Sequence, residues 1–184
     1  MPCFFRNSLM CLVLLMPAGV GATSRLYDAD AVVTLRNGNP CFSYPPNGEK
    51  LFGYHLTVSN PGPRGAIVWD IRIFDYEKKQ LPEPNSPETC VGYGVVNSEM
   101  EVRRVAEPLL PDTPYRVFIS VAEAPAGGQR YRYLRKFASD FCISKNDKGE
   151  GSIVAAAGGD KGEWRCLKPG ESPKRGFWQR LFGK

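Results

Sequence analysis

The chain is expected to fold as an all-β, antiparallel two-sheet sandwich stapled by disulfides. Three observations predict this. Apolar and polar residues alternate in several short runs; clusters of proline, glycine and asparagine separate those runs; and four cysteines lie downstream of an export-type leader. Glycine (19) and proline (16) are abundant and long helix-forming runs are scarce, which agrees with strands joined by turns.

The alternation is clearest in three places. Phe52, Tyr54, Leu56 and Val58 share one strand face, with Gly53, His55, Thr57 and Ser59 on the other. Ile67, Trp69, Ile71 and Ile73 form a second apolar face opposite Asp70 and Arg72, and Tyr115, Val117, Ile119 and Val121 form a third. The aromatic and charged stretch from Tyr131 to Ile143 is expected to be a long strand with a bulge. Alternation is poorer in Ala31–Arg36 and Ser152–Ala157, which also read as strands. Turns are expected at Arg36-Asn37-Gly38-Asn39-Pro40, Asn60-Pro61-Gly62-Pro63, residues 82–87 and Ala126-Gly127-Gly128. Proline removes a ladder donor and glycine accepts positive φ, so both mark connections.

One turn is more specific. Leu110-Pro111-Asp112-Thr113-Pro114-Tyr115 runs into an apolar strand, and a tyrosine there is placed to build a tyrosine corner, its hydroxyl bonding back to nearby backbone. The Leu-Pro-x-Thr-x-Tyr pattern resembles the corresponding turn of fibronectin type III domains, so an immunoglobulin/fibronectin III-like sandwich is expected.

Residues 1–22 divide as a cleavable signal peptide does: Arg6 near the start, an apolar run from Leu9 to Met16, and small residues at Val20-Gly21-Ala22. The apolar run is shorter than the roughly 20 residues a membrane span needs. Met10 is too large for the position before a lipidated Cys11, so a soluble product is expected. Residues 23–167 then form one domain, and residues 168–184 a basic aromatic tail. An exported chain implies an oxidising compartment, where Cys41, Cys90, Cys142 and Cys166 should pair rather than bind metal. Four cysteines allow three pairings; proximity along the chain suggests Cys142 with Cys166, leaving Cys41 with Cys90.

The net charge of +5 is uneven, because Lys168, Lys174, Arg175, Arg180 and Lys184 face Glu171 alone in the tail. The body lacks the basic face of a nucleic-acid binder. The tail mixes cations with Phe177, Trp178 and Phe182, which suits weak contact with an anionic membrane surface or docking on a partner.

Catalytic patterns are missing from the sequence. His55 is the only histidine and falls on a polar strand face, where a solvated surface residue is expected. There is no Gly-x-Ser-x-Gly elbow, and Glu99 and Glu101 read as exposed carboxylates rather than a glycosidase pair. Ala157-Gly158-Gly159-Asp160 reads as a turn rather than a phosphate loop. A non-enzyme without cofactor is expected. The best binding candidates are Arg130, Tyr131, Arg132, Tyr133 and Arg135 beside a glycine turn, since arginine and tyrosine bury large areas at small entropic cost. An acidic loop around Glu83 and Glu88 is a second candidate surface.

The order of motifs adds a resemblance. Gly38 to Pro45, Cys90-Val91-Gly92-Tyr93-Gly94, Tyr115 to Ile119, Phe141-Cys142-Ile143 and Trp164-Arg165-Cys166 follow one another over nearly the whole body. This order resembles a family of small periplasmic proteins described as type VI secretion immunity proteins. The chain departs from that family in lacking a lipidation site and in carrying the basic aromatic tail. The resemblance implies a periplasmic protein that neutralises a secreted toxin by stoichiometric binding. A non-enzymatic periplasmic adaptor, or an envelope or pilus assembly domain, is the alternative from another class.

Overall fold

The structure, a computed structural model, describes residues 27–46, 50–62, 64–74, 83–124, 133–146, 149–158, 163–168 and 170–171. The expected leader and most of the tail lie outside the described residues, which contain strands and turns but no helix. The strands are β1 (Ala29–Asp30), β2 (Val32–Arg36), β3 (Asn39–Ser43), β4 (Lys50–Ser59), β5 (Ile67–Phe74), β6 (Val91–Gly92), β7 (Glu101–Arg104), β8 (Tyr115–Ala124), β9 (Tyr133–Lys145), β10 (Gly151–Gly158) and β11 (Trp164–Cys166).

Two sheets form. The larger has the order β11-β10-β9-β8-β4-β5-β7, with β1 added to β9; the smaller has the order β2-β3-β6. All pairings are antiparallel except β1 with β9. The first strand changes sheets: Ala29 and Asp30 pair with β9, Ala31 N donates to Ala138 O, and Val32 onward pairs with β3. This crossing ties the two layers together near the start of the body.

Alternation fixes the buried face of the larger sheet. Tyr54, Leu56 and Val58 of β4, Trp69, Ile71 and Ile73 of β5, and Val117, Ile119 and Val121 of β8 are all buried, as are Phe137 and Phe141 of β9. Phe42 of β3 enters this layer from the smaller sheet. Its ring centroid lies 5.7 Å from that of Phe141, 6.3 Å from Trp69 and 6.5 Å from Tyr93. Tyr44 stacks on Phe137 at 5.0 Å. The core is therefore an aromatic layer clamped between two sheets.

Turn chemistry follows the sequence. Asn37 and Gly38 both have positive φ (52° and 79°), the backbone a two-residue type I′ hairpin between β2 and β3 requires. Asn39 and Pro40, expected to belong to that turn, instead open β3, with Pro40 opposite Leu35. Gly65 is obligatory for another reason: a Cβ there would sit 1.7 Å from Asn60 O. The expected bulge in the Tyr131–Ile143 strand is absent from the β8–β9 ladder, which keeps one register from Tyr133 to Phe141. The ladders instead shift register in β4 between Leu51 and Gly53 and between Val58 and Ser59, and in the β5–β7 pairing between Asp70 and Ile71; the first shift turns Leu51 inward to be buried.

Two disulfides close the frame. Cys41–Cys90 joins β3 to the residue preceding β6, and Cys142–Cys166 joins β9 to β11, with Cα separations of 5.5 and 5.8 Å. Cys142 alternates with Phe141 and so lies on the opposite face from the core. It is nonetheless fully buried, because its bond holds β11 over it. There Trp164 lies 5.2 Å from the Arg116 guanidinium, which grips Asp140 through two bonds of 2.7 and 2.9 Å. That grip raises the Arg116 pKa further and matches their cross-strand register. Disulfides of this kind belong to an oxidising, exported setting. No helix among the described residues is long and apolar enough to cross a membrane.

The chain after β11 is clasped by a surface ion pair. Arg165 Nη1 donates to Glu171 Oε2 at 2.9 Å, and Lys168 N donates to the same oxygen at 3.1 Å. The Arg165 bonds, followed by the Lys168 amide, lower the Glu171 carboxyl to about 2 from 4.5. A carboxyl held low stabilises the folded form above its unfolded value and loses that effect as pH falls through its folded value. The clasp should therefore hold at pH 5 and open between about 4.5 and 2. An NMR titration of Glu171 should give a midpoint near 2, rising toward 4.5 in Arg165→Gln. An unshifted midpoint in the unsubstituted protein would contradict the clasp.

Candidate interaction surface

The polar face of β4 and β5 holds His55. Its Nε2 lies 2.7 Å from Asp70 Oδ1 and 3.3 Å from Thr57 Oγ1, with the His55 side chain 31% and the Asp70 side chain 13% exposed. The histidine expected to be solvated is thus fastened across the β4–β5 ladder. One ring nitrogen serves both neighbours, whereas a relay from acid through imidazole to a nucleophile needs the two nitrogens in separate roles. This group ties strands together. Among the described residues, no set of three or more His, Cys, Asp or Glu side chains is placed to hold a metal.

The acidic loop is also largely occupied by internal bonds. Glu83 accepts from Leu51 N at 3.3 Å and from Asn85 Nδ2 at 2.9 Å, and Pro84 O accepts from Tyr44 N. This brings the chain back onto the β3–β4 end of the sandwich. Arg36 Nη1 donates to the Glu88 carbonyl at 3.0 Å, and the Ser86 hydroxyl lowers the Glu88 carboxyl.

Of the arginine–tyrosine run, Arg130, Tyr131 and Arg132 lie outside the described residues, and only the backbone of Tyr133 is described. The neighbouring part of β9 is well defined. The Arg135 guanidinium lies 4.7 Å from the centroid of Phe137, whose ring also stacks on Tyr44. Arg135 is half-buried and shares the core face with Phe137, so its long side chain is laid along an aromatic surface. Leu134, on the other face, is 64% exposed, and Lys136 beside Arg135 is also exposed. Where β9 begins, an aliphatic side chain and a lysine therefore share one face, and a pinned guanidinium lies on the other.

Residues 91–110 form a second surface that alternation did not reveal. The segment starts beside the Cys41–Cys90 bond and ends at Leu110, whose N–H donates to Tyr115 Oη at 2.9 Å, the geometry of a tyrosine corner. Midway, Tyr93 Oη donates to Glu107 O at 2.6 Å and approaches Val68 O at 3.3 Å. Burial, then Tyr115 and Glu107, push the Tyr93 hydroxyl up to about 12, keeping it a neutral donor. The segment is thus fastened at both ends and in the middle, yet Val95, Val96, Val102, Val105 and Leu110 are 59%, 48%, 37%, 76% and 61% exposed. Each looks ordinary in the sequence; only the fold leaves them exposed on a fastened segment.

No family model matches the chain, and no curated protein or solved structure matches it.

Proposed function

We propose that this is a periplasmic immunity protein that neutralises a type VI secretion effector by binding it stoichiometrically. The sandwich is of the immunoglobulin/fibronectin III kind, a reading supported by the Tyr115 corner. The observation that carries the proposal is the start of β9. Leu134 is exposed on one face of the strand and Arg135 is already laid on Phe137 on the other, and both are mounted on a frame with two cross-links. A contact group immobilised before binding loses little entropy on association, which favours tight complexes. Immunity requires such tightness, and nanomolar affinity corresponds to roughly 12 kcal/mol. The partner is a protein toxin; no cofactor and no nucleic acid enter the scheme, and the basic tail adds a weak membrane-surface contact.

The rival reading, an envelope or pilus assembly adaptor, would need an open apolar edge long enough to accept a client strand. The exposed edge at β7 is four residues long and three of them are charged, which favours the immunity reading.

The test is co-expression with the effector encoded beside it. The exported form should protect the cell and a leaderless form should not. Leu134→Asp should fold normally and weaken effector binding at least about tenfold. Equal protection from the leaderless form, or unchanged binding by the Leu134→Asp protein, would contradict the proposal.

A further inference from the structure

The smaller sheet covers one face of the larger sheet. On the other face, cross-strand register sets four side chains in a square: His55 opposite Ser120, and Thr57 opposite Phe118. Alternation places them there, because Leu56, Val117 and Ile119 take the core side. The square measures about 5 Å across the strands and about 7 Å along them, close to the footprint of one sugar ring. All four residues are half-buried. At the Phe118 corner, Tyr27 meets the ring edge-on at 5.9 Å, held by a bond that its hydroxyl oxygen accepts from Arg116.

The polar atoms left over at the square are mostly of one kind. His55 Nε2 serves Asp70 Oδ1 and Thr57, so among the described residues His55 Nδ1, Asp70 Oδ2 and Ser120 Oγ keep no hydrogen bond. A carboxylate oxygen accepts, and Nδ1 accepts as well in a neutral ring whose Nε2 donates to Asp70. Ser120 Oγ does both. These atoms call for a ligand that donates. An anion has no proton to give and would face Asp70. A cation would lie between Lys136, opposite Ser120, and Arg72, opposite His55 and already paired with Glu101. A neutral molecule rich in hydroxyls meets both conditions, and the C–H face of a pyranose packs on an aromatic ring such as Phe118. We propose that His55, Thr57, Ser120 and Phe118 form a binding site for a neutral saccharide. One ring sits against Phe118 and Tyr27 and donates its hydroxyl protons to Asp70, His55 and Ser120. Saccharide binding at this face stands apart from toxin binding and needs no effector to detect.

NMR titration of the mature, oxidised protein with cellotetraose and with chitotetraose tests this, with tetragalacturonate as the anionic comparison. At least one neutral tetramer should bind with a millimolar or tighter dissociation constant and shift the amide signals of His55, Thr57, Phe118 and Ser120. Ser120→Arg, which fills the square, should weaken binding at least about tenfold. Ser120→Ala should weaken it about fivefold, the loss of one hydrogen bond. The alanine adds no group that could disturb packing, so its thermal melting should match that of the parent. No shift with either neutral tetramer, shifts confined to other residues, tighter binding of tetragalacturonate, or full affinity in Ser120→Ala would each overturn the proposal.

Discussion

Replacing Cys41 and Cys90 together by serine should lower the unfolding free energy by about 4 kcal/mol. The bond closes a loop with a sequence separation of 49, and opening it frees the denatured chain. The folded state also depends on it. The β3–β6 ladder consists of only two residue pairs, Cys41 with Gly92 and Phe42 with Val91, too few to hold β6 unaided. The second bond spans 24 residues, so its removal should cost somewhat less, about 3.5 kcal/mol. Urea unfolding of the two double-serine variants beside the oxidised parent measures both. A loss below about 1 kcal/mol for the first variant would mean that the aromatic core alone holds the smaller sheet.

Phe42→Ala is expected to cost about 3–5 kcal/mol and to fall at the upper end of that range. The ring has no solvent exposure and lies among Trp69, Tyr93 and Phe141, so truncation leaves a cavity that three large aromatics must share. A neighbouring side chain cannot easily fill it, because Trp69 and Phe141 are held on strands of the opposite sheet. Leu134→Asp serves as the contrast: at an exposed site it should change stability by less than about 0.5 kcal/mol. Denaturant titrations of the two variants should differ several-fold in their effect. Equal effects would mean that the Phe42 site collapses or that Leu134 packs more tightly than its exposure indicates.

The two-sheet architecture was legible wherever one strand face is buried and the other is not. β4, β5 and β8 show this: Leu56 and Ile71 are buried between polar neighbours, and Ile119 is buried between the half-buried Phe118 and Ser120. β3 was hidden for the opposite reason. Pro40, Cys41, Phe42 and Ser43 are all buried, so no period-2 signal survives, and Pro40 looked like turn chemistry. Every residue of β7 is exposed, which erases the signal from the other side, and β11 is three residues long. The tyrosine at 115 was readable because a corner needs a specific residue beside a specific turn. The fastening of His55 to Asp70 was not, since it joins residues on neighbouring strands diagonally. The exposed segment that carries Val95 and Val105 was invisible for a similar reason: it is held by the long-range bonds of Tyr93 to Glu107 and of Glu107 N to Val68 O.

Two bonds of a kind that persists outside the reducing cytoplasm make the frame rigid. Alkylating the protein from an osmotic-shock fraction without reductant, then mapping its peptides by mass spectrometry, probes that directly. The expected result is a Cys41 peptide linked to the Cys90 peptide, a Cys142 peptide linked to the Cys166 peptide, and no label on any of the four. Four labelled thiols, or the same protein recovered only from the cytosol with residues 1–22 attached, would contradict it.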